Sequence, residues 1–218
     1  MSGRGAVAIL SCPYGRYGVD LGNKNKTMGK IIALGHISLD GYMADSEGQF
    51  NWIRMDGEIA GFVEELWQDA AGTIYGRKTY QLMDPFWPDV LKNPEKWPGW
   101  MVKYAEWVDK AVKVVVTGTI DSINWNNTRL IRHNVVEEMR RVKAEVKGDL
   151  LLLASAQLLS TLLAAGLVDE VVVTVNPIIL GRGRPYFEGL KDRVGLEIQD
   201  VRKFSNGMVG LRYGVVVK

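Results

Sequence analysis

The chain carries a single cysteine, Cys12, and two histidines, His36 and His133. One cysteine excludes an internal disulfide and fits a reducing compartment, so a cytoplasmic protein is expected. A Cys/His zinc site is beyond that inventory, and no metal centre is expected. Net charge is equally scarce. The 27 Lys and Arg against 25 Asp and Glu leave +2. That is too little to mark a nucleic-acid or anionic-membrane partner, so any anion site must be local. Long apolar runs are missing: Leu150 to Ala154 is far too short to cross a bilayer. Ahead of Met28 the only apolar run, Ala6 to Leu10, is shorter than the core of a secretory signal. Catalytic fingerprints are sparse too. There is no Walker loop and no G-x-G-x-x-G after the first strand, which excludes a P-loop and the usual Rossmann fingerprint. Without G-x-S-x-G or a convincing Ser/His/acid set, nucleophilic catalysis has little to build on.

What is present is ordinary globular material, 47% hydrophobic and 24% charged over 218 residues. That composition argues against disorder, and the length suggests one large domain or one domain with tails. Met1 to Thr27 stands apart, rich in Gly with Ser, Asn and Lys. It reads as a flexible extension, or as an upstream start ahead of Met28, leaving a single domain over 28–218. From Lys30 onward short apolar runs alternate with amphipathic stretches, the βαβ pattern of an open α/β sheet. Strands are expected at Ile31–Ile37, Gly72–Tyr75, Ala111–Val116, Thr128–Ile131, Leu150–Ala154 and Val171–Val175. A last pair, Leu196–Phe204 and Val209–Val217, reads as an antiparallel hairpin around the N-G turn in Ser205-Asn206-Gly207.

The first helix is expected over about Asp56–Asp69, where Ile59, Phe62, Val63, Leu66 and Trp67 recur at helical spacing. A short helix follows Gly76, a charged one covers Val135–Val146, and another covers Gln157–Ala165 with Gly166 as its C-terminal cap. Residues 84–107 hold four of the seven tryptophans and four of the seven prolines. Such density reads as an aromatic lid, an oligomer surface, or simple packing onto the body.

Three strand-to-helix junctions can meet at the carboxyl edge of such a sheet, where ligands bind. In G-R-K-T (76–79), Gly76 breaks the strand, Arg77 can fork onto a phosphate and Thr79 can add a hydroxyl donor at a helix start. At Ala154-Ser155-Ala156-Gln157, small residues allow close approach to a diphosphate while Ser155 caps the next helix; a plain cap is the alternative. The end of the third strand, with Thr117 and Gly118, can line a ribose or adenine. The loop G-R-G-R (181–184) offers Arg182 and Arg184 to an acidic substrate group, or is a surface turn. His36, ending the first strand, lies near a ligand or is simply packed.

The order S-L-D-G-Y-M-A (38–44), G-x-F-N-W (48–52), G-R-K-T-Y (76–80), V-V-V-T-G-T-I with W-N-N-T-R-L-I (114–131), and G-L-V-D-E through G-R-G-R-P-Y-F (166–187) resembles the dihydrofolate-reductase-like superfamily. More narrowly, residues 30 to 217 are similar to stand-alone relatives of the reductase domain of the bifunctional riboflavin-biosynthesis deaminase/reductase. The resemblance implies a mixed, mostly parallel central sheet of about eight strands with flanking helices, NADPH as hydride donor with NADH not excluded, and a homodimer. It implies that Gly76, Arg77 and Thr79 face cofactor phosphates, with the loop Ala154, Ser155, Ala156, Gln157, Leu158 at the diphosphate and Thr117 at the adenosine part. The family's usual glycine pair is Ala154-Ser155 here, and Gly118 stands where a cation often helps. For the substrate end the resemblance points to Trp52 and Asp56 by their spacing, then to Asp40 and to Thr174. Each has a plainer reading: helix cap for Asp56, turn chemistry for Asp40, ordinary strand threonine for Thr174. The H-x-E and C-x-x-C of a zinc deaminase are absent. The implied activity is reduction of a pyrimidine- or pterin-like heterocycle, as by 5-amino-6-(5-phosphoribosylamino)uracil reductase. The alternatives are a dihydrofolate reductase, or a non-catalytic nucleotide-binding or interaction protein on the same fold.

Overall fold

A computed structural model of the chain describes residues 29–120 and 122–216; the proposed extension over 1–27 lies outside the described residues. Strands and helices alternate through much of the chain, as the apolar pattern requires. In chain order the strands are β1 (Ile31–Ser38), β2 (Tyr42–Ala44), β3 (Gly72–Gly76), β4 (Val112–Val116), β5 (Thr128–Ile131), β6 (Leu150–Leu153), β7 (Glu170–Asn176), β8 (Arg184–Pro185), β9 (Gly195–Lys203) and β10 (Val209–Val216). The helices are α1 (Gly57–Trp67), α2 (Arg77–Lys92), α3 (Gly99–Lys110), α4 (Val135–Glu145) and α5 (Ala156–Ala164). Eight strands make one sheet in the order β5-β4-β3-β6-β1-β7-β10-β9. The first six of that order pair in parallel and the last two antiparallel.

Side chains alternate across this sheet, because successive residues of a strand point to opposite faces. Ile31, Ala33, Ile74, Val114, Leu150, Leu152, Val171 and Val173 pack with α4 and α5. Ile32, Leu34, Tyr75, Val115, Leu151 and Val172 pack with α1 and α3 on the other side. Buried on both faces, β1, β6 and β7 are nearly continuous apolar runs, as parallel strands under two helix layers must be. The nine-residue α5 is too short to persist alone. It is held by Leu158, Leu159, Leu162 and Leu163, each contributing roughly 2 kcal/mol on burial. Its end follows expectation: Gly166 takes φ +65°, and Gly166 N–H and Leu167 N–H bond to Leu163 O and Leu162 O.

Two expectations need correction. The helix after Gly76 is not short; α2 has 16 residues and contains Pro85 and Pro88. An interior proline removes a hydrogen bond and costs about 3 kcal/mol, which suggests an early stop. The stripe Tyr80, Met83, Trp87 and Val90 offsets that cost by packing on the body. The Trp/Pro-rich stretch is accordingly neither lid nor free surface along its inner side. Residues 77–110 form a helical pair, with Trp87 against Tyr104 at 4.5 Å and Trp107 against Trp67 at 5.4 Å between ring centres. The loop after β1 is also less irregular than its sequence suggests. It contains β2, which pairs with β8 from the G-R-G-R segment as a separate two-stranded ribbon.

Candidate active site

β3 and β6 are neighbours and parallel, yet the helices that follow them leave on opposite faces. α2 joins the α1–α3 layer and α5 joins α4. From β3 the chain goes outward to β4, and from β6 it crosses the other way to β7. Strand order therefore reverses between them and opens a crevice at their carboxyl ends, the place where open α/β sheets take ligands. A cleft of about 260 Å³ lies there, lined by Gly76 to Thr79, Ala154 to Leu158, and Arg184. The first two junctions expected from the sequence thus meet. A larger groove, about 740 Å³, lies elsewhere, between α5 and the 188–195 segment, with Leu163, Leu190, Val194 and Val215 on its walls.

Ser155 organises the crevice, and differently from its expected role. Its side chain does not cap α5. The hydroxyl donates to Leu153 O (3.0 Å) and accepts from Gly76 N–H (2.9 Å), lashing the two strand ends together. A Cβ on residue 76 would sit 3.0 Å from that hydroxyl, so any larger residue there would press on Ser155. Thr79 likewise turns inward: its hydroxyl donates to Ala154 O (3.3 Å) and lies 3.1 Å from Ser155 Oγ. The hydroxyl expected on a phosphate thus bridges the two loops. Neither α2, whose N-cap is Gly76, nor α5, whose N-cap Ser155 bonds elsewhere, has a capping side chain on its first N–H groups. Those donors, the two positive helix ends and three cations (Arg77, Lys78, Arg184) surround one cleft. Ala154 takes φ +42°, the left-handed region that glycine favours, so the loop keeps a glycine-type turn without the glycine. Thr117 lies two strands from β6, its hydroxyl accepting from Thr119 N–H and Ile120 N–H.

The remaining candidates gather at the carboxyl ends of β1 and β7. His36 and Thr174 are register partners, and His36 Nδ1 lies 2.5 Å from Thr174 Oγ1. Burial pushes the imidazole down to about 4, so it is neutral near pH 7. Asp56 caps α1: one carboxylate oxygen accepts from Glu58 N–H and Ile59 N–H, and the other from Asn206 Nδ2 (2.6 Å). Trp52 precedes it in a loop fastened to β7 through Arg54 N–H, which donates to Asn176 Oδ1. Asp40 ties two loops, accepting from Ser38 Oγ (2.7 Å), Leu180 N–H (3.1 Å) and Gly181 N–H (2.7 Å). Those bonds, Ser38 first, hold its carboxyl below the ordinary value. The two loop arginines part company. Arg184 lines the cleft, while Arg182 is exposed on the loop outside it. Nothing local in the sequence reveals the β2–β8 pairing that carries Arg184 to the crevice.

Free helix N–H groups, a narrow backbone approach and three cations fit the phosphates of a dinucleotide. Sheet order, crevice and closing hairpin together define a dihydrofolate-reductase-like α/β protein. Residues 30–210 match the RibD C-terminal domain, and the chain belongs to that family. YyaP, an uncharacterized protein of Bacillus subtilis (strain 168), is 32% identical over 177 residues, 81% of this chain and 90% of YyaP. In fold the chain is similar to the deaminase/5-amino-6-(5-phosphoribosylamino)uracil reductase of Thermotoga maritima. There the TM-score is 0.63 at 17% identity, covering 87% of this chain and 57% of that one. It is similar also to a dihydrofolate reductase from Enterococcus faecalis complexed with NADP(H), with TM-score 0.52 at 13% identity, covering 86% and 97%.

Proposed function

We propose that the protein is an NADPH-dependent reductase acting on a pyrimidine- or pterin-like heterocycle. The observation that carries this reading is the cationic crevice where strand order reverses between β3 and β6. The family and the reductases among its fold relatives agree with it. When bound, NADPH supplies a hydride, so the protein needs to contribute geometry and proton management rather than a nucleophile. Gly76 and Arg77 with Ala154 to Leu158 would hold its phosphates, and Thr117 would approach the adenosine part. His36 on β1, Thr174 on β7 and Asp56 at the start of α1 would meet the heterocycle, β1 and β7 being the next two strands beyond β6. There Asp56 exchanges Asn206 for a ring N–H, and Thr174 orients the ring or its water. Arg182 remains available for a phosphate on the substrate. The left-handed turn at Ala154 supports a cofactor-binding loop, since the residue adopts the backbone conformation that glycine favours.

The reading also includes a cytoplasmic setting and a homodimer. No helix among the described residues is long and apolar enough to cross a membrane. The test is titration with NADPH and NADH by tryptophan fluorescence, on wild type and Arg77→Gln, followed by a screen of pyrimidines and pterins for NADPH oxidation. Micromolar NADPH affinity that falls about tenfold in Arg77→Gln is expected, the loss of one charge-assisted hydrogen bond. A folded protein that binds neither cofactor would sink the reading.

A further inference from the structure

The G-R-G-R segment is joined to the loop after β1 at every step. Leu39 N–H donates to Ile178 O (2.8 Å), Asp40 receives Leu180 and Gly181 N–H, and Tyr186 N–H donates to Gly41 O (3.0 Å). Between these bonds Ala44 pairs with Arg184 and Tyr42 with Pro185. Gly183 permits the contact, because a Cβ there would lie 2.2 Å from Ala44 O and φ is +156°. Beyond the ribbon Tyr186 is buried with its ring against Gly35 of β1, where a Cβ would come within 2.5 Å of it. The loop 38–45 and the segment 178–186 are therefore one mechanical unit, anchored on β1. Its Arg184 reaches the crevice, restrained there only by a long 3.9 Å ion pair to Glu188 among the described residues.

We propose that Arg184 contacts a phosphate of the dinucleotide in the crevice, and that this contact fixes the 38–45 loop through the β2–β8 ribbon. The proposal rests on the cofactor reading above and adds to it a residue and a linkage. A guanidinium delivered by the substrate-side loop makes anion binding and loop order one event. An anion that binds better when the ribbon is seated must, by the same free energy, seat the ribbon.

The experiment titrates the full chain with inorganic pyrophosphate and, separately, with NADPH by calorimetry, and follows amide exchange over residues 38–50. In wild type, saturation with either ligand slows exchange in that segment. Arg184→Gln weakens pyrophosphate about tenfold and loses the slowing even at saturation. Arg77→Gln weakens binding yet keeps the slowing once saturated, because Arg77 lies on α2 and not on the ribbon. Unchanged affinity in Arg184→Gln, or slowing that survives in it, overturns the proposal. So does a folded wild type that fails to bind pyrophosphate. Binding of pyrophosphate without NADPH overturns the reductase reading instead, and leaves the Arg184 comparison to decide the linkage.

Discussion

Asp56 illustrates how one carboxylate can serve the fold and the chemistry at once. Its Oδ1 caps α1 and its Oδ2 accepts from Asn206. Asparagine caps about as well as aspartate, but its Nδ2 cannot accept from Asn206, so Asp56→Asn should keep the cap and cost about 1–2 kcal/mol of stability. Reductase turnover should nevertheless fall at least about tenfold, the worth of one charge-assisted hydrogen bond. A variant with normal turnover would leave Asp56 as a helix cap alone. His36 makes a prediction in pH. Its folded value of about 4 lies below the ordinary 6.5, so between those values the unfolded chain holds the extra proton. Its burden on stability is absent above pH 6.5 and grows as pH falls toward 4, reaching about 2 kcal/mol at pH 5. Urea titrations at pH 7.5 and 5 should show that loss in wild type and a smaller one in His36→Gln. Equal losses would mean the imidazole titrates freely.

At the scale of elements, β4 is pinned to α3 by a residue that its apolar pattern does not lead one to expect inside. Lys113 is fully buried, and its ammonium donates to Val108 O (2.7 Å), Ala111 O (2.9 Å) and Asp109 O (3.1 Å), 4.8 Å from the Trp125 ring centre. It closes the carboxyl end of α3, whose last carbonyls have no partner within the helix. Burial pushes its ammonium down to about 8. Lys113→Met removes the donor and strands those carbonyls, at a cost of about 3 kcal/mol, read as a lowered urea midpoint with an unchanged slope. A cost under about 1 kcal/mol would mean that water replaces the ammonium. A lysine within Val112–Val116 looks like a solvent-facing position on a half-exposed strand. The α2–α3 pair covers that face, and only the folded chain reveals it.

For the whole molecule, the two helix layers do not cover the sheet equally. α1 lies over β10 and β9 on one face through Phe62 on Phe204 and Glu65 with Arg202. On the other face Leu196, Ile198 and Val201 of the edge strand are 41%, 51% and 58% exposed. Their cross-strand partners Val215, Tyr213 and Leu211 share that face, since directly opposed residues point the same way. An apolar edge of this kind invites pairing with another chain. We place the proposed homodimer there, two copies covering each other's β9. Ile198→Glu with Val201→Glu should convert a dimer to a monomer in sedimentation and leave cofactor affinity per chain unchanged. A dimer that survives both changes assembles elsewhere.

The sequence by itself determined the parallel core, because strands buried on both faces must be apolar throughout and helices with one buried face must show a 3.6-residue period. Local chemistry likewise determined the Gly166 cap and the two junctions Gly76–Thr79 and Ala154–Leu158, since turns and helix starts are specified by adjacent residues. Only the tertiary structure decided that Ser155 and Thr79 bond to one another's loops, and that Arg184 lines the same cleft as Arg77 while Arg182 does not. Those outcomes depend on strand order and on a two-residue pairing between segments 140 positions apart along the chain, as between Ala44 and Arg184. Contacts of that range leave no period in a single sequence, because the residues that meet are fixed by the closing of the fold and not by their neighbours.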